Sequence, residues 1–428
     1  MNQYQSFVFR SYTFDESSKS LTLTYGYDEA LTFTETYHFN FAFTSYDPEA
    51  LDRACQLLFF IAGVSYYKAF LAPTIEIKAG QIDESLAQFL SNTYQKGLGE
   101  FFYVNQLDPR TTITFPTTTD QILNMLSVNG QGSMVAVGGG KDSLVSIELL
   151  RGSQDVTTWS VDHHAQLQPL VDRIGLPHLW IERQWDPLLL ELNDRGAYNG
   201  HVPISAIFAC VGVVAAILSG KRDVVMSNEQ SANEPTLHYH GLDINHQYSK
   251  SSLFETDFQT ILQQNFGDSI RYYSLLRPYS ELRISELFSR SAFEKYKNVF
   301  SSCNRAFTHN SDRMFWCGIC PKCAFVFLAL TPFIERSELE TIWGKNLLLD
   351  ESLEPHYRRL LGIEGDKPLE CVGEIKESRV AMRLAFSIYP ELNKKYLFEI
   401  PSDYDFRAQG NHTIPSDVFD RVLKNENV

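Results

Sequence analysis

The sequence predicts an α/β protein with a parallel-sheet core, an N-terminal α+β domain and a helical C-terminal region. Three patterns lead to this prediction: alternating apolar and polar residues near the start, β-branched runs alternating with helical stretches from residue 133, and helical spacing from about Glu335 onward. At 428 residues the chain exceeds the size of a single hydrophobic core. We therefore expect three parts, covering residues 1–120, 121–335 and 336–428.

The N-terminal part begins with the stretch SFVFRSYTFDESSKSLTLTYGYDEALTFTETYHFNFAF, in which apolar and polar residues alternate between turn-forming segments. This alternation predicts an antiparallel meander. From Pro48 the apolar spacing becomes helical, with Ser45 or Asp47 available as the N-cap and Pro73 as a stop. A second helix is expected around residues 82–94, which makes residues 1–120 an α+β domain.

The central part alternates short strands with longer helices. The predicted strands are SMVAVGG, VTTWSVD, HLWIE and DVVMSNE, and the predicted helices are LVSIELLRG, LVDRIGLP and ISAIFACVGVVAAILSG. This order indicates right-handed crossovers and a parallel sheet that is covered on both faces. Ligands of such sheets bind beyond the carboxyl ends of the strands.

After residue 335 the segments LEPHYRRLLG and SRVAMRLAFSIYPEL predict helices joined by loops. The net charge of −15 disfavours nucleic acid as a partner. The longest apolar run, residues 203–218, is shorter than the roughly 20 residues that cross a bilayer, so a buried helix is expected there and no membrane partner. The first residues lack the features of a secretory signal, and we expect a cytoplasmic location.

The sharpest motif is Val137-Gly138-Gly139-Gly140-Lys141-Asp142-Ser143, at the turn from the first parallel strand into a helix. Glycines allow an anion to approach the backbone, and the amides and dipole of the helix start favour a phosphate there. Lys141 offers a positive charge, Ser143 a hydroxyl, and Asp142 an acceptor for Mg²⁺ or for a backbone contact. The alternative is a glycine turn with a solvated Lys-Asp pair. A Walker A loop is excluded, because Val135 stands where that motif has its first glycine.

Polar residues elsewhere could complete a pocket. The polar segment after the fourth strand supplies the candidate substrate-binding residues Asn228, Glu229, Ser231 and Asn233, although a solvated loop is the alternative. Asn199 and His201, just before the long apolar helix, could bind a carboxylate or phosphate, and a helix cap explains Asn199 equally well. Histidines that could transfer protons are numerous, and their positions in the sequence do not choose among them. They are His163, His164, His201, His238 and His240.

Four of the seven cysteines fall within twenty-one residues, as Cys303, Cys317, Cys320 and Cys323. Four thiolates, the last three separated by two-residue gaps, are typical of a structural, tetrahedral zinc site. An iron–sulfur cluster and ordinary buried thiols are the alternatives. Cys55 and Cys210 lie in apolar helical patterns and are expected in the core, while the pattern around Cys371 does not indicate a role.

The loop resembles the PP-loop, SGGxDS, of the ATP pyrophosphatases, with Gly138 in place of that motif's first serine. Together with SNEQSAN and WCGICPKCAFVFLAL, it resembles the UDP-N-acetylmuramoyl-L-alanyl-L-glutamate epimerase family, MurL, over roughly residues 133–332. The resemblance implies a PP-loop core of the adenine nucleotide alpha hydrolase-like kind, with ATP and Mg²⁺ as cofactors. The residues matching the nucleotide site would be Gly138, Gly139, Gly140, Lys141, Asp142 and Ser143, with Asp162 after the second parallel strand.

The family resemblance implies inversion of the terminal L-glutamate of a peptidoglycan precursor, a nucleotide-sugar peptide, with release of AMP and diphosphate. It also implies a separate ligase that adds L-glutamate upstream. The catalytic candidates are then Lys141, Asp142, His163 and His201. One rival is an adenylating ligase similar to 7-cyano-7-deazaguanine synthase, which performs amidation or thiolation of a small substrate. Another is an idle nucleotide-binding module.

Overall fold

The computed structural model describes residues 4–120, 124–152, 155–307 and 311–424. Its main feature is one nine-stranded sheet, beside a separate two-stranded hairpin. The strands are β1 Ser6–Asp15, β2 Ser20–Tyr27, β3 Leu31–Phe39, β4 Thr74–Ile77, β5 Ser133–Ala136, β6 Val156–Val161, β7 His178–Gln184, β8 Asp223–Met226, β9 Leu237–Tyr239, β10 Leu242–Ile244 and β11 Arg271–Ser274. The order in the sheet is β11-β8-β5-β6-β7-β3-β2-β1-β4, and β9 pairs with β10.

Helices cover both faces of the sheet and form the C-terminal region. The helices of the first two thirds of the chain are α1 Pro48–Ala62, α2 Val64–Tyr67, α3 Glu84–Gly97, α4 Gly99–Val104, α5 Lys141–Leu150, α6 His164–Ile174, α7 Leu188–Asp194, α8 Ile204–Ser219, α9 Ser252–Phe266 and α10 Glu281–Ser291. Those that follow are α11 Phe293–Tyr296, α12 Pro321–Leu330, α13 Arg336–Trp343, α14 Glu354–Leu360, α15 Ile375–Ala385, α16 Leu392–Lys395 and α17 Ser416–Val422. Within the described ranges, no helix has the length and apolar character of a membrane span.

Five neighbouring strands, β11, β8, β5, β6 and β7, run parallel. Alternate residues of these strands face different hydrophobic cores: Val224 of β8 lies in one core and Val225 in the other. This alternation confirms the predicted α/β class and the predicted strands β5 to β8, because both faces of a parallel sheet are covered. Strand β11 and helices α9 and α10 were not predicted, since RYYS is too short to show a pattern of its own.

The N-terminal meander belongs to the same sheet as the parallel strands. Strand β3 pairs antiparallel with β7, from Thr36 opposite Gln184 to Phe39 opposite Ile181. Helix α1, capped by Asp47 as predicted, lies between this sheet and α8 and is buried along nearly its whole length. It ends at Ala62, and the prediction that Pro73 stops this helix was wrong. The boundaries near residues 120 and 335 stay predictions, while the sheet itself is continuous across the first of them.

A buried ion pair lies at the junction between β3 and β7. The Arg183 Nε donates to the Glu35 Oε1 at 2.7 Å, and both side chains are at most 1% exposed. A second guanidinium nitrogen donates to the Ser65 hydroxyl at 2.9 Å, while the Tyr37 hydroxyl donates to Glu35. Because a buried charge is stable only with a close partner, this pair fixes how the meander joins the parallel strands.

We expect Arg183→Met to destabilise the protein by about 3–5 kcal/mol, since it leaves the Glu35 carboxylate buried without its cation. Urea unfolding followed by circular dichroism measures the change. The matched control is Arg195→Met, which removes one partner of the exposed Arg195–Glu191 pair and should change stability little. Equal effects of the two substitutions would show that the buried pair does not hold the junction.

Candidate active site

The glycine-rich loop begins directly after β5, at the carboxyl edge of the sheet. Gly139 adopts φ +88° and is buried, and its carbonyl accepts a hydrogen bond from the Ser301 amide at 2.9 Å. A Cβ there would lie 2.8 Å from both the Ser301 carbonyl and the Phe307 ring. Gly138 is exposed, and a Cβ on it would have open space around it. The loop is therefore anchored at its second glycine and open at its first.

Helix α5 starts at this loop with Gly140 as the N-cap, and no side chain among the described residues caps it. The amides of the first helical turn are then available to an anion, and the helix dipole favours negative charge at this end. The Ser143 hydroxyl donates to the Gly140 carbonyl at 3.1 Å, so it also braces the turn. This local geometry can accommodate a phosphate group beside Gly138.

Lys141, the first residue of α5, is almost fully buried between two carboxylates. Its ammonium donates to Asp142, which is half-buried, and to Glu281 at the start of α10. Burial by itself would lower the pKa of Lys141, but Asp142 and Glu281 outweigh it and raise that pKa above its ordinary value. Burial also raises the pKa of Glu281, and the positive charge of Lys141 only partly offsets this rise. The Lys141 ammonium therefore stays protonated, and it holds the Asp142 and Glu281 side chains together beside the loop.

Asp162 and His163 follow β6 at the same edge of the sheet, and both adopt left-handed backbone angles, with φ of 59° and 55°. The Asp162 carboxylate accepts a hydrogen bond from the Arg183 amide at 2.7 Å, and burial raises its pKa. The His163 ring contacts the Phe307 ring edge-on, with centroids 5.2 Å apart. Phe307 also lies against Gly139, so His163 and the glycine loop meet around this phenylalanine.

The segment after β8 also lies at this edge and is largely buried. Asn228 donates to the Ser274 hydroxyl at 2.9 Å, and the Ser231 hydroxyl donates to Glu229 at 3.3 Å. Asn233 is exposed and accepts from the Ser252 amide at 2.7 Å. The alternative of a solvated loop is therefore wrong for Asn228, Glu229 and Ser231, whose side chains are buried, and their binding of substrate stays a prediction.

Asn199 and His201 lie in the loop before α8, against the N-terminal helices. The Asn199 side chain accepts from the Lys68 ammonium at 3.0 Å and from the Gly200 amide at 2.8 Å, which is a local structural role. His201 lies 3.4 Å from a Glu100 carboxylate oxygen, with its ring 4.7 Å from that of His246. Burial and the neighbouring His246 lower the pKa of His201 to about 4. His201 is therefore a neutral imidazole at pH 7.

Several charged residues of the site were not found from the sequence. The Lys250 ammonium lies 3.0 Å from the Cys371 sulfur, and Lys322 donates to the Cys371 carbonyl. His246 contacts Glu100 and is close enough to Cys371 to interact with it electrostatically. Lys322 lies within the cysteine motif, but the other residues belong to no local motif, because the group comes from four loops and helix ends that are distant in the sequence. Only their positions in the fold bring them together.

The four clustered cysteines converge as predicted. All four sulfur atoms lie within 4.8 Å of one another, with Cys303 and Cys320 3.9 Å apart and Cys317 and Cys323 3.7 Å apart. Two sulfurs on a tetrahedral zinc at about 2.3 Å would be roughly 3.8 Å apart. The set therefore fits a tetrathiolate metal site, and four protein ligands leave no open position for catalysis. Cys320 caps α12 and Cys303 lies in the segment that covers Gly139, so a metal here would brace the loop.

Comparison with known proteins identifies the relatives of the chain. The model of the MurL N-terminal domain matches residues 1–275, and that of the MurL C-terminal domain matches residues 299–400. A UDP-N-acetyl-alpha-D-muramoyl-L-alanyl-L-glutamate epimerase of Xanthomonas oryzae is 38% identical, over 99% of this chain and 98% of its own length. The enzymes of the same name from Salinispora tropica and a Micromonospora species are 39% and 38% identical, each over 90% of this chain and over 85% and 87% of their own lengths.

We expect the purified protein to contain one zinc ion per chain, and Cys320→Ser to lose it and to melt at a lower temperature, because a structural zinc site contributes directly to folding. Elemental analysis and calorimetry measure the two effects. Cys55→Ser is the matched control, since Cys55 is a buried thiol far along the chain from the cluster. The zinc content of the Cys55→Ser protein should equal that of the wild type. Iron in the wild-type protein would instead favour a cluster.

Proposed function

Because the chain belongs to the MurL epimerase family, we propose that it inverts the terminal L-glutamate of UDP-N-acetylmuramoyl-L-alanyl-L-glutamate to D-glutamate in an ATP-dependent reaction. The observation that carries this proposal is the match over nearly the full length of an epimerase, at 38% identity. Both family domains are present, so the resemblance covers the loop, the polar segments and the cysteine cluster together. A nucleotide-sugar peptide is the corresponding substrate.

The proposed chemistry answers an electrostatic difficulty. Removing the α-proton next to a carboxylate would leave two negative charges on one small group, so the carboxylate must first be neutralised. Attack of its oxygen on the α-phosphorus of ATP gives an acyl-adenylate and releases diphosphate. Proton removal on one face and proton return on the other then invert the carbon, and water releases AMP and the free carboxylate. ATP hydrolysis thus drives an otherwise nearly neutral inversion.

The glycine loop is the part of the chain suited to the nucleotide. Exposed Gly138 and the uncapped start of α5 offer backbone amides to the outer phosphates. Asp142 and Glu281 carry two negative charges against the single charge of Lys141, and this excess of carboxylate oxygen suits Mg²⁺, which would neutralise the phosphates. In the structure both partners of the Lys141 ammonium are carboxylates, so we assign it to holding Asp142 and Glu281 in place.

The proposal also indicates a place in a reaction sequence. A ligase would add L-glutamate to the nucleotide-sugar precursor before this chain acts on it, and because the proposed reaction uses ATP we expect both steps in the cytoplasm. An adenylating ligase would use the same loop, but it would transfer the activated carboxylate to ammonia. The two reactions therefore differ in the fate of the adenylate.

The test is turnover of UDP-N-acetylmuramoyl-L-alanyl-L-glutamate with ATP in heavy water. We expect one deuterium at the α-carbon, a D-glutamate product, and equal amounts of AMP and diphosphate. Added ammonia should not enter the product. Absence of both the mass gain and the D-isomer would exclude the epimerase, and formation of an amide would identify a ligase.

We expect Asp142→Asn to lower the ATP-dependent inversion at least about 100-fold, because it removes the negative charge that would hold Mg²⁺ against the phosphates. Coupled detection of diphosphate measures the rate. The matched control is Asp420→Asn, an exposed carboxylate on α17 that pairs with Lys424. Activity unchanged in Asp142→Asn would mean that the loop does not carry the nucleotide.

A further inference from the structure

Cys371 lies in the loop between α14 and α15 and faces a group of ionisable side chains from other elements. Its sulfur is 3.0 Å from the Lys250 ammonium, and His246 is close enough to interact with it electrostatically. The Lys322 ammonium lies at its carbonyl, and the Lys322 amide donates to Glu370 at 3.0 Å. Cys371 is half-buried.

His246 is itself held by a carboxylate. Its Nδ1 contacts the Glu100 Oε2, and Glu100 comes from α4 in the N-terminal part of the chain. A thiol, an imidazole and a carboxylate thus follow one another, which is the arrangement that holds a cysteine sulfur as the thiolate and orients the imidazole. Both His246 and Glu100 are largely buried, so water competes little with these contacts.

The electrostatics of Cys371 differ from those of the other isolated cysteines. Burial by itself would raise the pKa of Cys371, but Lys250 and His246 outweigh it and lower that pKa to about 5. Burial by itself would lower the pKa of His246, but Cys371 and Glu100 raise it to about 9. For Cys55 and Cys210, burial raises the pKa well above the ordinary range. Of Cys55, Cys210 and Cys371, we therefore expect only Cys371 to be a thiolate beside an imidazolium at pH 7.

The thiolate is connected to the glycine loop through charged residues. Lys250, which contacts the Cys371 sulfur, is close enough to Asp142 and Glu229 for their charges to raise its pKa. The Cys371 loop is also tied to the segment after β8, because Lys367 donates to Glu234 at 2.6 Å. The Cys371 sulfur and the glycine loop therefore border the same region.

We propose that the Cys371 sulfur is a catalytic proton-transfer group at the glutamate α-carbon, with His246 and Glu100 as positioning residues behind it. This assignment rests on the proposed epimerase function. It identifies a base that none of the sequence candidates includes, since the local pattern around Cys371 has no distinguishing feature.

In the proposed step the thiolate forms an S–H bond with the α-proton as the C–H bond breaks. The electron pair of that bond forms a C=C bond while the carbonyl π pair of the acyl-adenylate moves onto its oxygen. The product is an enolate, which the Lys250 ammonium would stabilise. A water molecule on the opposite face gives a proton to the carbon, and the hydroxide that remains takes up, through solvent, the proton that the Cys371 thiol releases. One proton is taken and one returned, so no oxidant or reductant is required.

The test separates adenylation from proton transfer in Cys371→Ser and Cys371→Ala. We expect substrate-dependent exchange of labelled diphosphate into ATP to stay within about threefold of wild type, and entry of α-deuterium from heavy water to fall at least about 100-fold. Cys210→Ala, a buried thiol of α8, is the matched control and should retain both activities.

Each contrary outcome overturns the assignment. Cys371 variants that still invert glutamate, or that lose diphosphate exchange and deuterium entry together, would show that the sulfur is not a proton-transfer group. An acyl group found on Cys371 after acid quenching would make it a nucleophile instead. If the wild-type protein shows neither diphosphate exchange nor inversion of glutamate, the proposed epimerase function is wrong, and the assignment of Cys371 that rests on it is wrong as well.

A second measurement concerns His246 and needs no substrate. Alkylation of wild-type Cys371 by iodoacetamide, followed by peptide mass spectrometry, should rise with pH through about 5. In His246→Gln this rise should move to higher pH, because the imidazolium no longer stabilises the thiolate. The other groups that face the sulfur or its partner are unchanged in that variant: Lys250, Lys322, Glu370, Glu100 and His201. An unchanged profile would mean that His246 does not position or charge the thiol.

Discussion

The candidate site depends on the buried Lys141 ammonium between the Asp142 and Glu281 carboxylates. Without this cation two carboxylates would face each other away from water, which is strongly unfavourable. Glu281 begins α10, which packs against α5 and α12, so the ion cluster ties the glycine loop to the C-terminal helices. The same helices carry Lys322 and the cysteine cluster, whose relation to the loop therefore depends on this contact.

The continuous sheet explains how the N-terminal part takes part in the site. Pairing of β3 with β7, together with the buried Glu35–Arg183 pair, fixes the first third of the chain against the parallel strands. Helix α4 then carries Glu100 to His246, so a residue from the N-terminal part reaches the group around Cys371. A separate N-terminal domain on a flexible linker could not hold such a contact.

The distribution of charge suits anionic ligands despite the net charge of −15. Lys141, Lys250 and Lys322 gather around the glycine loop and the Cys371 loop, where each meets a carboxylate, a thiolate or a carbonyl. These ammonium groups act at short range, whereas solvent and salt screen the charges of the distant negative surface. The overall charge thus disfavours nucleic acid without opposing a phosphorylated substrate.

The sequence by itself determined the α/β class, the predicted strands β5 to β8, the glycine loop and the four-cysteine cluster. These features are set by residues that are close in the chain, through hydrophobic periodicity, glycine conformation and ligand spacing. Only the tertiary structure decided that the meander joins the sheet, that Lys141 is paired with Glu281, and that Cys371 meets His246 and Lys250. Such contacts join residues more than a hundred positions apart, and a single sequence carries no local signal for which distant side chains will share a pocket.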